Sequence, residues 1–176
     1  ASGWQTTVQY LAKHSSLRLW QGLVHGILMA PPCTDFSVSG AQYWPAKDKD
    51  GRTAASLEII DACLEIVKIC NPRWWVLENP VGRLPKLRPD TLGNPKLYIQ
   101  PYEYAGWADD PMSEAYTKKT GLWGEFNPNL EKRIVEPVRS CKQGSWVQKL
   151  GGKSDRTKEL RSMTPTGFSR AFFEAN

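Results

Sequence analysis

Two short apolar stretches, Leu23-Val24-His25-Gly26-Ile27-Leu28-Met29-Ala30 and Trp74-Trp75-Val76-Leu77, each run directly into a polar turn braced by proline. Both are rich in branched or aromatic residues and too short for a buried helix, so they read as strands buried in a sheet. The first ends in Pro31-Pro32-Cys33-Thr34-Asp35-Phe36-Ser37, and the second, counted from Arg73, ends in Glu78-Asn79-Pro80. Between them a helix is signalled from Thr53. Ile59, Cys63, Ile66, Val67 and Cys70 form its apolar stripe, Glu58, Asp61, Glu65 and Lys68 line the other face, and Asn71-Pro72 stops it. Strand, loop, helix and strand make a right-handed βαβ crossover, which sets the two strands parallel and brings both polar turns to one edge of the sheet. Ligands in open α/β sheets bind outside the carboxyl ends of the strands. Cys33 and Glu78 are therefore expected to face one pocket.

Two prolines before a cysteine lock the backbone and remove two N–H donors, which fixes where the sulfur points. A buried structural cysteine in a turn is the alternative reading of the same residues. Residues 38–53 (VSGAQYWPAKDKDGRT) hold glycines, a proline and a Lys-Asp-Lys-Asp-Gly run, and read as a long exposed loop of the kind that forms lids and binding loops. Tyr43 and Trp44 within it suit either stacking on a planar ligand or anchoring the loop to the core.

Elsewhere the signals are weaker. Residues 4–21 suggest one short helix, with His14 on its surface. Lys96 to Gln100 and Thr117 to Phe126 read as later strands that pair with each other, separated by the polar, turn-rich Ala105–Tyr116. Residues 127–160 are polar and basic with few apolar anchors. Ser162-Met163-Thr164-Pro165 offers a cap and a first-turn proline for a closing helix. With 176 residues, of which 40% are hydrophobic, one compact domain is expected. Within it, 1–126 would be the chemical part, 127–160 a small basic region and 161–176 a helix packing back.

No apolar run approaches the roughly 20 residues that span a bilayer, and no leader pattern opens the chain, so a soluble cytoplasmic protein is expected. The four cysteines (33, 63, 70 and 141) lie outside any C-x-x-C spacing and only two histidines could join them, which argues against a metal. Cys63 and Cys70 stand seven residues apart on a helix, about 10 Å, too far for a disulfide. Residues 1–130 carry 13 basic and 13 acidic side chains, whereas 131–170 carry ten basic and four acidic, so the net charge of +5 resides in the last quarter. That region is either solvated surface or an electrostatic footprint for a phosphate backbone.

A cysteine on one strand end and a Glu-Asn-Pro on its parallel partner suggest covalent catalysis with an acid beside the nucleophile. A cysteine hydrolase would need a histidine after the cysteine or in a polar turn, and neither His14 nor His25 qualifies. PPCTDFS, followed 45 residues after Cys33 by the glutamate of VLENP, resembles the catalytic pair of the DNA cytosine-5 methyltransferases. YTKKTGLWG resembles a later strand of that family, and RSMTPTGFSRAFFEAN resembles the C-terminal stretch of its compact phage and bacterial members. The resemblance covers most of residues 23–126 and 161–176.

The resemblance implies that Cys33 adds to C6 of a cytosine swung out of the DNA duplex. Glu78 would hydrogen-bond that base at N3 and its exocyclic amine, and Asn79 would brace the Pro32-Cys33 loop. Phe36, Ser37 and Pro80 would belong to the loop and base pocket. Lys118 stands where the family has an arginine reaching the base carbonyl, and Thr120 where it has a second. Tyr43 and Trp44 fall in what resembles the mobile catalytic loop, and with Lys142, Lys149, Lys153 and Arg156 they would contact DNA. S-adenosylmethionine is the implied methyl donor.

The family's glycine-rich cofactor strand and turn should precede Leu23, where Gly3 and Gly22 are the only glycines. The implied fold is thus α/β, a partial Rossmann-like methyltransferase with a mixed sheet lacking its cofactor-binding front strands. A second chain carrying that half would be a partner. The alternative is a non-catalytic DNA-binding or assembly module derived from the family.

Overall fold

The computed structural model describes residues 15–141, 145–150 and 154–176. It is a mixed α/β structure whose four strands, β1 (Gly26–Met29), β2 (Trp74–Pro80), β3 (Leu97–Ile99) and β4 (Thr120–Glu125), form a mixed sheet in the order β1-β2-β4-β3. The chain divides into two compact units. One comprises residues 1–95 with Leu122–Phe126, the other Lys96–Gly121 with Asn127–Asn176.

In the first unit β1 and β2 are parallel, as the crossover argument requires, with Gly26 opposite Trp74 and Met29 opposite Leu77. β1 is shorter than the apolar run. The Leu23 amide closes a turn onto Trp20 O, and the His25 carbonyl starts the ladder by accepting from Arg73 N. Of the helix expected over 4–21, residues 4–14 lie outside the described residues and Ser15–Trp20 is a 3-10 turn. The segment read as a long loop is helical instead. A 3-10 turn covers Val38–Tyr43, and α1 covers Trp44–Lys49. Ser37 caps the former by accepting from Ser39 N, and Pro45 suits the first turn of the latter. Local composition predicts a loop here because what holds α1 is tertiary, an ion-pair network described below.

The long helix, α2 (Arg52–Cys70), starts within one residue of expectation. Asn71 ends it in the left-handed region at φ 47°, its amide donating to Val67 O, and Pro72 prevents continuation. Its inner face brings Leu57, Ile59, Ile60 and Cys63 against Phe36, Leu77, Leu84 and Trp123 in one buried cluster. Each such aliphatic side chain contributes roughly 1.5–3 kcal/mol by leaving water. Cys63 and Cys70 are both buried, as a core assignment requires. After β2, a bridge between Ser37 and Gly82 and the Val38 N to Val81 O hydrogen bond stitch the Cys33 turn to the next loop. α3 (Leu84–Leu87) follows.

In the second unit, Ala105–Tyr116 carries a 3-10 turn at Ala105–Trp107 and α4 (Pro111–Glu114), the latter capped by Asp110. Residues 127–139 are irregular but tied by their backbone: Gly106 N donates to Arg133 O, Val135 N to Tyr102 O and Arg139 N to Ala115 O. α5 (Asp155–Ser162) leads to α6 (Thr166–Ala175), which buries Phe168, Ala171 and Phe172 and sets Phe168 edge-on against Tyr104. Its cap differs from expectation. Pro165 at the cap position has no side-chain acceptor, so the orphan amides of Thr166 and Gly167 are taken by the Glu114 carboxylate from α4.

A β-carbon at Gly82 would lie 1.9 Å from Phe36 O, a backbone atom that cannot yield, whereas one at Gly51 would meet nothing and suffer only its φ of 81°. Gly82→Ala should therefore cost about 3 kcal/mol and Gly51→Ala about 1 kcal/mol. Urea unfolding midpoints check this; equal midpoints for the two variants would refute the close approach.

Candidate active site

The carboxyl end of β1 is where the chain stops being able to hold itself. Pro31 and Pro32 carry no N–H, so the ladder cannot continue through them. The next backbone hydrogen bonds come at Cys33, whose carbonyl accepts from Phe36 N at 3.0 Å and Ser37 N at 2.9 Å, closing one helical turn over Cys33–Ser37. Phe36 is fully buried in the core cluster and anchors that turn from below. Cys33 itself is half-buried.

β2 supplies the other half. Extended by two residues, the register that pairs Met29 with Leu77 sets Pro31 opposite Asn79, and there Asn79 Nδ2 donates to Pro31 O at 3.2 Å. Asn79 is fully buried, and its Oδ1 has no hydrogen-bond partner. β2 runs on through Glu78-Asn79-Pro80, where a turn was expected, while its register with β1 ends at Leu77. Alternation along β2 puts Trp75, Leu77 and Asn79 on the face toward the α2 core, and Trp74, Val76 and Glu78 on the other. Glu78 is half-buried.

A cluster of charged groups that the sequence reading missed holds the turn from the side. Asp35, nearly buried, accepts from Ser56 Oγ at 2.6 Å and pairs with Lys47 Nζ at 3.0 Å. Lys47, also nearly buried, donates to Thr34 O at 2.5 Å. Arg83 Nε donates to Asp35 O, its two terminal nitrogens clamp the Asp48 carboxylate at 2.8 and 2.7 Å, and one of them reaches Thr53 Oγ1. The Arg83 and Thr53 hydrogen bonds hold Asp48 below the usual carboxylate range. The sole local sign of this network is that opposite charges occur at 35, 47, 48 and 83. Nothing in their spacing tells that they meet.

The remaining assigned residues fall as follows. Tyr43 is exposed, whereas Trp44 is half-buried under the Arg83 guanidinium, 4.7 Å from its ring, so of the two it is Trp44 that anchors. Ser37 shares a hydrogen bond with Ser39 Oγ, and Pro80 ends β2 half-buried. Lys118 and Thr120 lie in the second unit. Lys118 is buried with Nζ donating to Met163 O, and Thr120 Oγ1 donates to Lys118 O. Lys149 is exposed and donates to Ser140 O. Lys142 and Lys153 lie outside the described residues, as does the side chain of Arg156 in α5. His25, at the opposite end of β1 from Cys33, packs edge-on against Trp74. No disulfide joins the four cysteines. Among the described residues no three His, Cys, Asp or Glu side chains gather to hold a metal ion, and no helix is long and apolar enough to cross a membrane.

No protein-family model matches the chain, and no curated protein matches it.

Burial pushes the Cys63 thiol up to about 11 and raises that of Cys70, while Cys33 and Cys141 are both half-buried. At pH 8 Cys63 would be thiolate to about one part in a thousand. Iodoacetamide at that pH should label Cys33 and Cys141 ahead of Cys63 and Cys70, with Cys63 becoming reactive on unfolding in urea. Peptide mass mapping that found Cys63 labelled as fast as Cys33 would contradict the packing.

Proposed function

We propose that the chain is the base-handling part of a DNA cytosine-5 methyltransferase, and that its βαβ unit belongs to a Rossmann-like methyltransferase fold. The observation that carries the reading is the Asn79 Nδ2 to Pro31 O hydrogen bond, by which the Glu-Asn-Pro strand braces the Pro-Pro-Cys turn. A thiol and a carboxylate on adjacent parallel strand ends suit a flat heterocycle between them. Cys33, as thiolate, forms a bond to C6 of an extruded cytosine, and the displaced electron pair spreads over C5 and N3. Glu78, hydrogen-bonded at N3 and the exocyclic amine, offsets the charge that develops there. Cys33 is restored from the C5-methylated adduct, where a base takes the C5 proton, the C–H pair re-forms the C5=C6 bond and the thiolate leaves C6. The basic last quarter of the chain would supply the affinity for phosphates.

The methyl donor of this reaction class is S-adenosylmethionine, and the described residues do not fit it. Gly22, the one described glycine ahead of β1, has φ 75°, and its amide donates to Cys70 O, so this turn is tied to the end of α2 and offers no cradle for a ligand. In our reading the cofactor is held by protein outside these residues, on a second chain or segment. The same observation favours a second reading, a DNA-binding or assembly module that keeps the pocket without the chemistry. The engagement of Lys118 Nζ with a backbone carbonyl favours it too.

Duplex DNA carrying 5-azacytosine separates the two, because its ring nitrogen makes C6 electrophilic enough to trap a thiolate without a methyl donor. The first reading expects a covalent adduct mapped to Cys33, absent in Cys33→Ala and formed at least 100-fold more slowly in Glu78→Gln, on the scale of general acid catalysis, about 10²–10⁴-fold. DNA binding with no adduct at any pH would leave the module. Isothermal titration with S-adenosylmethionine is expected to show no binding to this chain alone.

A further inference from the structure

Lys47 is a buried ammonium with no place in the reading above, and it lies where it can govern the Cys33 turn. Its Nζ holds two successive residues of that turn at once, Thr34 through its carbonyl at 2.5 Å and Asp35 through its carboxylate at 3.0 Å. The backbone closes over this contact: a β-carbon at Gly40 would stand 3.4 Å from Thr34 O and 3.9 Å from Lys47 Nζ. Asp35 in turn is fixed to α2 by Ser56 Oγ at 2.6 Å. A nearly buried carboxylate with a single neutral donor would be costly, so its charge needs the ammonium.

We infer that Lys47 is a positioning residue for Cys33: it neutralises Asp35 two residues from the sulfur and pins the Thr34–Asp35 peptide of the same turn. The inference rests on reading Cys33 as the nucleophile. The charged groups around the turn are Asp35 on it, Lys47 and Asp48 from α1, the Asp50–Arg52 ion pair at the start of α2, Arg83 after β2, and Glu78 beside Asn79 on β2. Asp48 and Arg83 neutralise each other through their two-point contact. Removing Lys47 or Asp35 singly therefore leaves one uncompensated charge next to Cys33, of opposite sign in the two cases. Loss of either partner for merely structural reasons would instead move Cys33 in the same direction.

The test is the rate of Cys33 alkylation by iodoacetamide, followed by peptide mass from pH 6 to 10 on the full chain, with thermal melts to show that each variant folds. Lys47→Met should alkylate about threefold more slowly at pH 7.5, with the midpoint of its pH profile about half a unit higher, because the stranded Asp35 carboxylate disfavours the thiolate. Asp35→Asn should shift the other way and alkylate faster. The double variant should return close to wild type. Superimposable profiles, or single variants that move together, would overturn the inference. If Lys47→Met does not fold, Asp35→Asn decides: faster alkylation supports the assignment, and an unchanged or slower rate ends it. These rates need no DNA, so the 5-azacytosine adduct is read separately. An adduct in the wild type with unmoved profiles removes Lys47 alone, whereas opposed profiles with no adduct remove the methyltransferase reading alone.

Discussion

A backbone that gives up two consecutive N–H donors must be held by something other than its own ladder, and the rest of the first unit answers that constraint. Pro31 and Pro32 end β1 and leave the Pro31 carbonyl without a strand partner. Asn79 reaches it from the neighbouring parallel strand, at a position that the register between Met29 and Leu77 sets in advance. The hydrogen bond is buried, so its loss would leave both a carbonyl and an amide unsatisfied where water is scarce. It thereby couples the two strand ends more firmly than sheet pairing alone.

Beyond this point the Cys33 turn is gripped from three sides. Phe36 descends into the core formed by α2, Leu77 and Leu84, so the turn cannot lift without opening a cavity. Gly82 runs against the Phe36 carbonyl at a distance no side chain would permit. Laterally, Lys47 and Arg83 bind Thr34 and Asp35 while Arg83 clamps Asp48 and stacks on Trp44. A turn so constrained presents its half-buried thiol in one place, as the proposed addition to a base would require. The same grip explains why residues 38–49 are helical and closely bound where a free loop was expected.

The second unit follows a related logic with different groups. Glu114, nearly buried, is the acceptor for the first amides of α6, and Gly167 is small enough to let that helix end approach the Tyr104 carbonyl. Arg170 then fastens the exposed side of the same helix to Asp109 and to the Trp107 carbonyl. Residues 127–139, whose one buried apolar anchor among the described residues is Leu130, are held mainly by backbone hydrogen bonds and by Arg133 stacked on Trp107.

Much of the first unit was legible before any coordinates. The apolar runs, the proline stops and the 3.6-residue stripe of α2 are local signals, and each depends on the residue's own backbone preference and hydropathy. From them follow two parallel strands and a crossover helix with Cys63 and Cys70 in its core face, which bring the Cys33 turn and the Glu78-Asn79-Pro80 stretch to the same end of adjacent strands. Tertiary structure alone decided the division into two units, the helical state of residues 38–49, the carboxylate cap of α6 and the ring of charges around Asp35. In these the deciding partner lies well outside the local stretch, 13 residues away for Lys47 and Thr34 and 52 for Thr166 and Glu114, and Lys47 does not show in its own neighbourhood that its ammonium ends on Thr34 and Asp35. Local pattern records what a segment can become, and contacts between distant segments select among those states because a buried charge or an orphan amide is stable only where its counterpart arrives.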